Sequence, residues 1–198
     1  MPAESKLLFS INGKQHGSGA VLMAWQGAGN FLATCGSNRQ VQICDRYGAV
    51  VDDVSLTAGG QVLQLDWDCD GETLAILQAG NSALILWDAV SRKPTMLETN
   101  TKDLTWMKWS KTGPELAVGS GKGNLVMYNR RTARLNALLG KHSKKITCGC
   151  WNSQNQLALG SDDKTVSLST STGDLIRQEP LKGEPTEVLL PEAFSKGG

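Results

Sequence analysis

No apolar run in this 198-residue chain approaches the ~20 residues that a membrane-spanning helix needs. No sign of charge dominates either. Twenty Lys and Arg against 19 Asp and Glu leave +1, too little to build a global field that recruits nucleic acid or an anionic membrane. No Asn begins an Asn-X-Ser/Thr acceptor, and the polar opening MPAESK has none of the pattern of a secretory signal. The five cysteines (35, 44, 69, 148 and 150) are odd in number and scattered, so a cytosolic chain with reduced thiols is expected. Phe and Tyr together number five, and no segment keeps a 3.6-residue apolar period long enough to specify a long helix. What is plentiful is Trp (6) and Gly (22). That pairing suits short strands punctuated by turns.

Four of the tryptophans are periodic. VLMAW, VLQLDW, LTWMKW and ITCGCW end at Trp25, Trp67, Trp109 and Trp151, spaced at 42-residue intervals. A turn follows each one: QGAGN, DCDGE, SKTGP and NSQNQ. Gly29, Gly71 and Gly113 share one offset, where a left-handed backbone is cheapest for Gly, and Asn155, a tolerated substitute, takes the place in the fourth copy. Second strands (FLATC, TLAIL, ELAVG, QLALG), third strands (VQICDR, LILWDA, LVMYNR, TVSLST) and looser fourth strands such as VVDDVSL and RLNALLG complete each unit. Four short strands per unit of ~40–45 residues is the signature of a β-propeller blade. The expected fold is all-β, a partial propeller of about four blades. A first strand lying innermost would bury its Trp between neighbouring sheets, removing ~150–250 Å² from water.

The expected layout is an N-terminal strand over 1–13 that would close a full ring, and blades at about 14–57, 58–99, 100–140 and 141–182. An incomplete fifth blade or disordered tail follows over 183–198, with TEVLL as its first strand. A seven-unit ring needs about 294 residues, so the four units are expected to be part of a larger ring. An isolated arc would expose apolar blade faces and unpaired strand edges.

The third strands carry the resemblance to a family. Trp87-Asp88 is the namesake dipeptide of WD repeats, with Cys44-Asp45, Tyr128-Asn129 and Ser169-Thr170 at equivalent places. GSDDKTVSLST (160–170), which could be read as a polar reactive site, is therefore a drifted repeat. His16 and His142 each stand nine residues before a blade tryptophan. WD-repeat proteins often place a histidine there, hydrogen-bonded to an aspartate in the turn between the second and third strands, and Asp163 matches that aspartate for His142. Nearby serines make a Ser/His/Asp hydrolase conceivable, but no strand–turn–helix nucleophile elbow is present and the structural role is preferred.

Other motifs dissolve on inspection. GSGKGN (119–124) has Leu116 and Gly123 where a phosphate loop requires Gly and Ser/Thr. DCDGE lacks the bidentate Glu of a calcium loop, since the twelfth position is Ala79. Cys148 and Cys150 share a strand face without further sulfur or imidazole nearby in sequence, which makes them small buried residues rather than zinc ligands. No catalytic, cofactor or metal site is expected. Lys122, Lys141, Lys144, Lys145 and Lys164 fall in loops that blade geometry sends to one rim, with Arg130 and Arg131 on the other. Those lysines are a candidate partner rim, competing with a merely solvated one.

Beyond the repeat, VGSGKGNLVMYNRRTAR, LGKHSKKITCGCWNSQNQLALGSDDK and GDLIRQ resemble the N-terminal WD-repeat propellers of a large intraflagellar transport complex A subunit, and a weaker likeness runs from about residue 5 to residue 188. That resemblance implies a non-enzymatic scaffold supporting retrograde transport and cargo entry in cilia and flagella. It further implies a basal-body and cytoplasmic pool, and no cofactor. The implied partners are the other subunits of that complex and, indirectly, ciliary membrane-protein cargo or its adaptors, without nucleic acid or direct membrane insertion. Two alternatives stay open. One is a generic cytosolic WD-repeat peptide-binding adaptor with a pocket at the channel. The other is an enzyme with its site in the channel, for which the inner strands offer Asp66.

Overall fold

Every blade tryptophan pairs across a hairpin with a leucine: Trp25 with Leu32, Trp67 with Leu74, Trp109 with Leu116 and Trp151 with Leu157. The computed structural model, which describes residues 7, 9–11, 13–54, 56 and 60–191, builds its sheets outward from these pairs. The first sheet is β1 (Leu22–Trp25), β2 (Phe31–Cys35), β3 (Val41–Asp45) and β4 (Val50–Val54). The second is β5 (Val62–Trp67), β6 (Thr73–Gln78), β7 (Ala83–Asp88) and β8 (Lys93–Glu98). The third is β9 (Leu104–Trp109), β10 (Glu115–Ser120), β11 (Leu125–Asn129) and β12 (Arg134–Leu138), and the fourth β13 (Ile146–Trp151), β14 (Leu157–Ser161), β15 (Thr165–Ser169) and β16 (Leu175–Pro180). Each is an antiparallel meander in chain order, so the fold is the all-β partial propeller that the repeat specifies. Among the described residues a single helical turn, α1 (Gly13–His16), precedes β1.

The first hairpin turn obeys its sequence in three blades. Gly29 (φ 69°), Gly71 (φ 71°) and Asn155 (φ 58°) are all left-handed. Gly113 departs from this expectation and has no positive φ. It precedes Pro114, which disfavours helical backbone in the residue before it. A Cβ at position 113 would meet only the ends of the Glu115 and Asn155 side chains, which can move aside, so neither φ nor clearance dictates glycine there.

The core lies between the sheets, in three layers. Ala33, Val41 and Ile43 meet Trp67, Leu74 and Trp87; Ala75, Leu84 and Leu86 meet Met107, Trp109 and Leu116; Trp106, Ala117 and Leu125 meet Ile146, Trp151 and Leu157. The first strands β1, β5, β9 and β13 neighbour one another in order. They are tied across each gap: Trp67 Nε1 donates to Ala24 O (3.0 Å), Trp109 N to Asp66 Oδ2 (2.7 Å) and Trp151 Nε1 to Lys108 O (3.0 Å).

Trp25 corrects the expectation of four equivalent buried indoles. Trp67, Trp109 and Trp151 are 7%, 2% and 2% exposed, but Trp25 is 52% exposed. Each buried indole packs on the preceding sheet, and no sheet precedes β1 among the described residues.

The two outer faces of the arc are partly covered by irregular chain. Phe9 and Ile11 lie over the free face of the first sheet beside Val21, Met23 and Leu32. Residues 7 and 9–11 are not in a strand, and the rest of the expected N-terminal strand lies outside the described residues. At the other end, residues 185–190 lie on β13 without being a strand themselves. Thr105 Oγ1 donates to Ile146 O across the third gap (2.8 Å), and Thr147 Oγ1 donates to Pro185 O (3.0 Å) in the same way. A Cβ on Gly119 would strike Ile146, and one on the equivalent Gly160 would strike Pro185. The Leu190 backbone lies beside the Cys150 thiol. Residues 185–190 therefore take, in register, the place that Ile146–Trp151 takes one sheet earlier. Residues 192–198 of the expected tail lie outside the described residues.

Candidate functional site

Two buried networks and one charged rim account for the residues singled out in the sequence. In the namesake dipeptide, Trp87 is 0% exposed. Its Nε1 donates to Asp52 Oδ2 of the first sheet (2.7 Å), and its ring meets Phe31 and Trp67 with centroids 6.3 and 6.0 Å away. Asp88 caps the turn that follows, accepting from Ser91 N (2.6 Å), and that bond lowers its pKa. Asp45 accepts from Ala49 N (2.9 Å), Asn129 from Thr132 N (3.0 Å) and Thr170 from Asp174 N (3.0 Å) at the same place. The drifted dipeptide Ser169-Thr170 thus keeps the cap and loses only the indole. Asp52 could not be found by pattern, because the fourth strands repeat too loosely to align.

His142 is the second network. Its ring is 0% exposed; Nδ1 lies 3.1 Å from Asp163 Oδ2 and Nε2 2.9 Å from Ser167 Oγ. A carboxylate only accepts, so Nδ1 carries the proton and Nε2 accepts from the serine hydroxyl. Burial lowers the His142 pKa against the opposing pull of Asp163, so at neutral pH the pair is a hydrogen bond donated by a neutral imidazole rather than an ion pair. Burial works against the Asp163 carboxylate too, but bonds from Thr165, Ser143 N and His142 hold its pKa down to about 2. The order Ser167–His142–Asp163 has the connectivity of a hydrolytic triad. Ser167 is 1% exposed, however, and no acyl substrate could reach it. His16 is equally buried, but the turn after β2 holds no aspartate and neither ring nitrogen has a partner among the described residues.

Asp66 is likewise occupied. It pairs with Lys108 Nζ at 2.6 Å as well as with Trp109 N. Burial raises its pKa, with Lys108 opposing. Its oxygens tie the second sheet to the third. Cys148 and Cys150 share the face covered by residues 185–190, where burial raises both thiols. Among the described residues no group of three or more His, Cys, Asp or Glu gathers at metal-binding distance.

The lysines come together at one rim. Gly123 O accepts from His142 N (3.0 Å) and Lys145 O from Asp162 N (2.9 Å), joining the loops at 121–124, 142–145 and 162–164. Lys122, Lys144, Lys145 and Lys164 are exposed and Lys141 is half-exposed. Leu181 N donates to Lys164 O (2.7 Å), which brings Lys182 to the same rim. Sequence reasoning missed Lys182 because only the return of the tail places it there. None of these six makes an ion pair among the described residues. Arg130, on the opposite rim, is enclosed by Asp68, Asp70 and Glu72 at 3.1, 2.6 and 2.7 Å, and Arg131 lies 3.8 Å from Asp70.

Comparison with known proteins agrees with this geometry. Residues 21–195 match the family described as the WDR19 first beta-propeller. The chain is 44% identical to WD repeat-containing protein 19 of Mus musculus and 42% identical to that of Homo sapiens, each over 185 residues and 92% of its length. It is 33% identical to WD repeat-containing protein dyf-2 of Caenorhabditis elegans over 98% of its length. In all three cases it spans 14% of the relative. With four sheets in register and a match over residues 21–195, the chain belongs to the WDR19 first beta-propeller family.

Proposed function

We propose that the chain acts as a non-enzymatic scaffold within intraflagellar transport complex A, supporting retrograde transport and the entry of membrane-protein cargo in cilia or flagella. The observation that carries this reading is 44% identity to WD repeat-containing protein 19 across 92% of the chain. The structure supports the scaffold half of it. The His142 and Asp66 constellations singled out for chemistry are buried or spent on ties between elements, which suits a framework more than a reaction site. In this reading the four sheets are consecutive blades of a larger ring, residues 185–190 stand where the next blade begins, and the lysine rim faces a neighbouring subunit. Tagged chain expressed in a ciliated cell should be recovered with the other subunits of that complex, and should be seen at basal bodies and along axonemes beside a cytoplasmic pool. A tagged chain found in neither place, and recovered without those subunits, would overturn the reading.

A second reading has its own observation. Trp25 and Met23 stand beside Asp66, Lys108 and Lys111 in a cleft at the inner strands, the kind of mixed aromatic and charged surface that a peptide-binding adaptor would use. Selective capture of sequences on a peptide array, lost in Trp25→Ala, would favour it.

A further inference from the structure

The two rims of the arc treat their charges differently. On one, Arg130 is consumed by three carboxylates. On the other, Lys122, Lys141, Lys144, Lys145, Lys164 and Lys182 make no ion pair among the described residues. The acidic groups of that rim offset them only in part. Asp163 is turned inward onto His142 and Ser143 N, and Asp103 and Asp162 make no ion pair among the described residues. A chain that nets only +1 thus concentrates its surplus cations on the third and fourth blades.

The cluster is also held rigidly. Gly123 has φ 77°, and a Cβ there would collide with the His142 and Lys144 carbonyls, so two lysine loops touch backbone to backbone. Asp163 then accepts from Ser143 N (2.9 Å) and locks the third lysine turn to the second. Charges displayed on pinned loops lose less entropy on binding than charges on mobile ones. The buried His142 network is therefore the frame on which the lysines are mounted.

We infer that this rim docks an acidic, extended protein segment that also carries an apolar side chain. The inference rests on the scaffold reading, in which the rim faces another protein. Three observations choose the partner. The unpaired cations of the cluster are all ammonium groups, point charges rather than the planar fork that selects phosphate bidentately. No aromatic side chain stands in the loops at 121–124, 139–145 or 162–164 apart from the buried His142, so no platform exists on which bases could stack. Leu139, 77% exposed at the foot of the Lys141 loop, offers one apolar contact among the charges.

The test uses the purified full chain and three probes: a fluorescent octaglutamate peptide with one central leucine, its glutamine counterpart, and a uridine octanucleotide. Vesicles with 20% phosphatidylserine form a fourth arm. The glutamate peptide should bind, weaken at least tenfold between 50 and 250 mM salt, and outcompete the other three. Lys122→Glu/Lys144→Glu/Lys145→Glu/Lys164→Glu should weaken it at least tenfold. Arg92→Glu/Arg131→Glu, on the opposite rim, should leave it within twofold, with circular dichroism confirming that both variants are folded. Tighter binding of the oligonucleotide or vesicles, or a fourfold variant that binds as well as the parent, would overturn the inference. Recovery of the tagged fourfold variant with the complex A subunits separates the two proposals. If it is recovered and the peptide does not bind, the acidic partner alone falls. If even the parent is not recovered, the scaffold reading falls with it.

Discussion

Trp25 and Trp67 hold the same place in the repeat, yet one is 52% exposed and the other 7%. The difference is the presence of a preceding sheet, whose Ala24 carbonyl also accepts the Trp67 indole N–H. Trp67→Ala should therefore cost roughly 3–5 kcal/mol in urea titration, and Trp25→Ala below about 1 kcal/mol. Equal losses would contradict this packing. His142 and Asp163 make a second residue-scale prediction, on pH. Burial depresses the His142 pKa, so its contribution is full above the unfolded value of ~6.5 and is lost as pH falls from there through the lower folded value. Asp163 is depressed to about 2, so its share is present above ~3.9 and drains away as pH falls toward the folded value. That second share is worth about 2 kcal/mol. Acid should thus destabilise in two stages, and His142→Gln should flatten the first. Urea midpoints at pH 7.5 and 5.5 measure it; the same fall in parent and variant would remove His142 from the account.

Among the strands, burial tracks position more closely than sequence. β6 is buried at all six residues and β16 exposed at all six, because one is flanked by sheets on both faces and the other is an outermost edge. The segment 185–190 shows how far an interface can be met without a regular strand. It supplies the Pro185 carbonyl and the Leu190 backbone where β13 supplies Ile146 and Trp151 to the sheet before it. Val188 and Leu190 are half-buried against the fourth sheet, so Val188→Asp/Leu190→Asp should uncover β13 and β14. Faster amide exchange confined to those strands, equivalent to about 1–2 kcal/mol of lost protection, is the expected outcome. Unchanged exchange there would mean that the segment covers nothing.

For the molecule as a whole, stability follows nearest neighbours, as in any stacked repeat. The second and third sheets each pack against two others, while the first and fourth pack against one plus irregular chain. Native-state hydrogen exchange should therefore be slowest in β6, β7, β10 and β11 and fastest in β1 and β4. First-sheet amides as slow as those of β6 would refute a nearest-neighbour arc.

Much of this was written locally. The 42-residue spacing, the Trp–turn–Leu hairpins, the capping Asp45, Asp88, Asn129 and Thr170, and the pairing of His142 with Asp163 are all set by residues within one repeat, where backbone preference and hydrogen-bonding type act at short range. Other features required whole sheets to be set side by side. Trp25 lies open, Asp52 receives the Trp87 indole, Asp66 is spent on Lys108 and Trp109, and Lys182 joins the rim. Each depends on which surface lies across a gap from another, and that is decided by packing between repeats roughly 40 residues apart, which no pattern inside a repeat encodes.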